Sequence, residues 1–92
     1  MEAEDIDVLN LLRDTTGLSS PAKVTIFDVT RHSGIGRKYE IILHVHDHGP
    51  DSHPGRFSAV IFHKHDPSRR VASDLYPDIA AALAKLRWSE LD

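Results

Sequence analysis

The sequence has no cysteine. That excludes a disulfide framework and any thiolate metal site. No stretch approaches the ~18 consecutive apolar residues that a membrane-spanning helix needs. Positive charge is not in excess either: the formal net charge is −3 with histidines neutral. Nucleic-acid binding by overall charge is disfavoured, because phosphate affinity comes mainly from Lys and Arg. The first residues are acidic (Glu2, Glu4, Asp5), the opposite of the basic start of a secretory leader, so a cytoplasmic location is expected. Gly34 and Gly36 form only G-x-G, with no strand-to-helix context after it. A nucleotide fingerprint is excluded, and these are turn glycines.

What is present fits one domain, residues 1–92, with one modest core. Hydrophobic residues make up 40% of the chain, too many for a disordered segment. Charge is uneven. Arg31, Arg37, Lys38, Arg56, Lys64, Arg69 and Arg70 crowd the middle, and acids crowd the ends. Seven histidines titrate near neutrality, so the middle turns positive in mild acid.

Residues 3–15 predict an amphipathic helix. Val8, Leu9 and Leu12 follow helical spacing, and Ile6 and Leu11 widen the stripe. Gly17 is the expected left-handed residue after its last turn. Residues 23–31 are β-branched and aromatic, hence a strand. Ser33-Gly34-Ile35-Gly36 makes a hairpin turn, and residues 38–47 form a second strand. A polar loop, 48–55, leads to a third strand, 56–65, which Asp66-Pro67-Ser68 ends. Pro77 opens a second helix whose stripe is Ile79, Ala82, Leu83 and Leu86, with Trp88 and Leu91 extending it or tucking back. The expected fold is α+β, a two-layer α-β-β-β-α domain with a three-stranded antiparallel sheet and both helices on one face.

A register with His48 opposite Phe57 sorts the side chains. Tyr39, Ile41, Leu43 and Val45 would then share the core side with Ser58, Val60 and Phe62, and Thr25, Phe27 and Val29 would point inward. Glu40, Ile42, His44, His46 and His48 would share the outer side with Phe57, Ala59, Ile61, His63 and His65, beside Ile26 and Asp28. A contiguous apolar patch among histidines marks a contact site, and a self-complementary one supports a two-fold dimer. The expected protein-contact surface is Ile26, Ile42, His44, His46, Phe57, Ile61 and His63. It belongs to a non-catalytic binding module working through protein contacts, as a homodimer or with a protein partner, with no cofactor.

Two further constellations stand beside this one. His44, His46 and His63 are an alternative metal set, since imidazoles at i, i+2 on a strand point the same way; a plain solvated face is the bland reading of the same residues. Arg37, Lys38, Arg56, Arg69 and Arg70 are the alternative nucleic-acid set. Fragments such as Asp51-Ser52-His53 do not build a catalytic triad, which needs spatial convergence.

The element order resembles the double-stranded-RNA-binding domain. That family opens its last helix on a phosphate-gripping Ser-Lys-Lys-x-Ala-Lys signature. Ser68-Arg69-Arg70-Val71-Ala72-Ser73 is similar to it with Arg read for Lys, departing at its last position. Gly49-Pro50-Asp51-Ser52-His53 is similar to the family's Gly-Pro-x-His loop, with one residue added and after the second strand rather than the first. Residues 24–40, with the turn from His32 to Arg37, the third strand, the Asp66-Pro67 break and the Ala-Leu-rich last helix also resemble small actinobacterial proteins with this same fold. Some of those are likened to ribosome hibernation factors and form dimers. These resemblances imply RNA or the ribosome as an alternative partner.

Overall fold

A computed structural model describes residues 1–34 and 36–91; Ile35 of the expected hairpin turn lies outside the described residues. The elements are helix α1 (Ala3–Asp14), strands β1 (Lys23–His32), β2 (Lys38–Asp47), β3 (Phe57–His63) and β4 (Asp66–Ala72), helix α2 (Ile79–Ala84) and a closing 3-10 turn (Trp88–Leu91). The fold is α+β, with one antiparallel sheet in the order β1-β2-β3-β4. No helix among the described residues is long and apolar enough to cross a membrane.

The sheet has four strands where three were expected. Asp66-Pro67-Ser68 starts β4 instead of ending the third strand. Pro67 is tolerated because β4 is an edge strand, where a missing N–H leaves no ladder position empty. The third strand ends at His63, with Lys64-His65 forming the turn into β4. Ser68 to Ala72 therefore lies in a strand and not at the start of a helix.

α1 begins with acids in its first turn, which suits the positive end of its dipole. The Glu2 N–H donates to the Asp5 carboxylate at 3.3 Å. Gly17 is left-handed, with φ +86°, but it serves the turn after the helix, where the Leu18 N–H reaches the Thr15 carbonyl at 3.2 Å. α2 is a short helix capped by Asp78, whose carboxylate accepts from the Ala81 N–H at 2.7 Å. Trp88 and Leu91 tuck back: the Trp88 indole donates to the Leu83 carbonyl at 3.1 Å, and Leu91 is buried.

The core is Ile41, Leu43 and Val45 of β2, Ala59 and Ile61 of β3, Val71 of β4, Ala82 of α2, and Leu86 and Leu91 beyond it. α1 contributes nothing to this cluster. The two helices do not lie together over one core, as had been expected. α1 is tied down at the far end of the sheet instead. Leu9 is buried close to Gly49, Arg13 donates to the His48 carbonyl, and Lys23 pairs with Asp5 at 2.7 Å. Val8 and Leu11 on α1 stay exposed.

Candidate functional site

The register decides which residues meet. β2 and β3 pair with Asp47 opposite Phe57, Val45 opposite Ala59 and Leu43 opposite Ile61. That is one residue away from the expected pairing of His48 with Phe57. Because side chains alternate, one residue of slip moves the whole of β3 to the opposite face. β3 is apolar on both sides (Ala59 and Ile61, Val60 and Phe62), so its own pattern supports either register. The flanking contacts fix it. The His48 N–H reaches the Arg56 carbonyl at 2.9 Å, and the N–H groups of Arg56 and Phe57 both reach the Tyr76 carbonyl, at 3.0 and 2.8 Å. Gly55 sits so close to this segment that an added Cβ would lie 2.7 Å from the Tyr76 nitrogen.

Of the expected contact residues, Ile26, Ile42, His44 and His46 do share the outer face. Ile26 stands opposite His44, Asp28 opposite Ile42, and Val24 opposite His46. Phe57, Ile61 and His63 lie on the helix side. Ile61 is fully buried, at 0% exposure, so it is core and not contact surface. Val60 and Phe62 take the outer places on β3, facing Ala72 and Arg70 of β4.

The histidine row is split in the same way. The His44 and His46 rings lie 6.2 Å apart, and His46 and His48 lie 6.3 Å apart. His44 meets the edge of Phe62 at 5.2 Å. His63 is on the other side, stacked on Tyr39 at 4.5 Å and within 2.7 Å of the Leu91 carbonyl. His44, His46 and His63 therefore do not converge, and no cluster of three metal-ligating side chains occurs among the described residues. Burial pushes the His46 imidazole below its usual pKa, and its neighbours His48 and His44 push the same way. Its Nε2 is buried with no hydrogen-bond partner.

The basic residues are dispersed. Arg37 and Lys38 follow the β1–β2 turn, while Arg56 sits beside Asp47 at the other end of β2, roughly 30 Å away along the strand. Arg56 holds Asp47 at 2.8 and 3.0 Å. Burial raises the Asp47 pKa, but the Arg56 and Gly49 hydrogen bonds outweigh it, and the carboxyl stays below its usual range. Arg69 donates to the Leu91 carbonyl at 3.0 Å.

The feature missed by sequence reasoning is β1. Its inward side chains were expected in the core, yet Phe27 is 47% and Val29 37% exposed. On the outer face Ile26 is 63% and Val24 42% exposed. α2 packs chiefly on β3 and leaves β1 uncovered. A groove of about 300 Å³ remains between them, lined by Thr25, Phe27, Val29, Leu43, Val45, Ile79 and Leu83. One signal in the sequence pointed here: the first strand is apolar on both faces, more than a one-sided sheet needs.

No known protein family, curated protein or solved structure matches the chain.

Proposed function

We propose that this chain is a non-catalytic module that acts through protein contacts, and that its contact surface is the β1 side of the sheet. The observation that carries this is the exposure of Val24 and Ile26 on one face of β1 and of Phe27 and Val29 on the other. Single exposed apolar residues are ordinary. Four exposed apolar residues within six positions of one edge strand, adjoining an apolar groove, form a patch of the kind that marks an interaction site. Ile42, His44 and His46 continue that patch across the outer face.

This reading is favoured over RNA or ribosome binding through Arg37, Lys38, Arg56, Arg69 and Arg70. A duplex is held by a continuous basic face, and those side chains are spread over both ends of the sheet, two of them already engaged by Asp47 and the Leu91 carbonyl. The test is the size of the chain in extract of its own cells. It should travel in a complex heavier than one chain, and Ile26→Glu should release it while its circular dichroism is unchanged. A chain that travels alone, with or without the substitution, contradicts the reading.

A further inference from the structure

We infer that the partner of β1 is β1 of a second copy, paired antiparallel about a two-fold axis at Ile26 so that the two sheets continue into one. This rests on the β1 side being the contact surface.

Hydrogen bonding supplies the first argument. The Ser33 N–H reaches the Arg37 carbonyl at 2.9 Å, closing the β1–β2 hairpin as a hydrogen-bonded pair. Such pairs recur every second residue. The odd-numbered residues of β1 therefore direct their N–H and C=O groups at β2. Val24, Ile26, Asp28, Thr30 and His32 direct theirs at the free edge, where no further strand lies among the described residues. A ten-residue edge of this kind is a template for another strand.

Two of the usual protections, proline and a bulge, are missing from that edge. β1 contains no proline, and its pairing with β2 runs without a bulge from Lys23 to His32. Its one central charge, Asp28, is held by Lys64 at 3.0 Å. β1 spans about 33 Å, and its flanks are apolar on both faces.

Charge excludes the two longest registers, and apolar pairing chooses Ile26 among the rest: an axis at Val29 would set Phe27 against Arg31, and an axis at Thr25 would pair only five residues of β1. Two-fold antiparallel pairing keeps like faces together, so outer residues meet outer residues. An axis at Asp28 would set two carboxylates face to face, and an axis at Phe27 would set Lys23 against Arg31. Like charges directly opposite are destabilising. An axis at Ile26 avoids both: Ile26 meets its own copy, Thr25 meets Phe27, Val24 meets Asp28 and Lys23 meets Val29. On the helix side the two apolar grooves become neighbours.

The chain's lack of cysteine makes the test clean. Residues at the axis of a hydrogen-bonded pair have Cα atoms about 5.5 Å apart, within reach of a short bis-maleimide. Purified Ile26→Cys should form a covalent dimer with that cross-linker. Thr30→Cys should not, because an axis at Ile26 separates its two copies by roughly eight residue steps. Purified wild-type chain should sediment as a two-subunit species. Comparable cross-linking of both variants overturns the register. A purified chain that stays monomeric at millimolar concentration overturns the self-pairing; if the heavier complex persists in extract, the contact-module reading survives that result, and if it is also absent there, both readings fall.

Discussion

The two edges of this sheet differ in length, in proline and in regularity, all of which govern strand addition. β4 carries Pro67, the charges of Arg69 and Arg70, and a register shift at Phe62/His63 beside it, and the closing 3-10 turn packs against it. β1 has ten regular residues, one central charge that is already paired, and apolar side chains on both faces. Edge strands left unprotected invite pairing, and natural sheets blunt them unless the edge is used. In the proposal the two edges take opposite roles: β4 ends the sheet, and β1 receives the partner.

The largest effect expected separates contact residues from core. Ile61→Glu would place a carboxylate among Leu43, Val71 and Ala82, costing more than ~4 kcal/mol. Circular dichroism should show a chain that does not fold at room temperature. Ile26→Glu, on the exposed edge, should leave the melting curve of the dilute protein unchanged while weakening self-association by roughly 100-fold, since two copies of the substitution meet at the axis. A native melting curve for Ile61→Glu would mean that the register between β2 and β3 is wrong.

Removing the protection of β4 sharpens the contrast from the other side. Pro67→Thr together with Arg70→Val should convert a closed dimer into larger assemblies, visible by light scattering, because both edges would then accept strands. Unchanged dimers would mean that the 3-10 turn alone guards that edge.

The smallest effect concerns His46 on the outer face. Its folded pKa lies below the unfolded value, so the stability it confers is fully present above about pH 6.5 and is lost as pH falls through the folded value. The melting temperature should therefore fall between pH 7 and 5. In His46→Phe, which also removes the unpartnered Nε2, the fall should be shallower and stability at pH 7 higher by about 1 kcal/mol. An equal slope in both proteins would place the titration elsewhere.

Much of this fold is legible in the sequence, and the failures have physical causes. α1, β1 and β2 follow from helical spacing and from β-branched alternation, and their bounds fall within a residue or so of expectation. β4 is hidden because Asp-Pro-Ser-Arg-Arg carries turn and charge signals, and an edge strand tolerates both. The register of β3 is hidden because Ala59 and Ile61 compete with Val60 and Phe62 for the core, and the choice is made by Tyr76 and α2 from later in the chain. The site inherits that ambiguity. Ile26, Ile42, His44 and His46, fixed by the short β1–β2 hairpin, fall together as expected, whereas Phe57, Ile61 and His63 fall on the other side. The exposure of Phe27 and Val29 depends on where α2 lands, which strand periodicity does not encode.

The most direct test is amide hydrogen exchange across β1, read residue by residue at low and high protein concentration. The amides of Thr25, Phe27 and Val29 face β2 and should be protected at every concentration. Those of Val24, Ile26 and Asp28 face the free edge and should exchange quickly when dilute and slowly when concentrated. Fast exchange at these three positions at all concentrations would contradict pairing through β1.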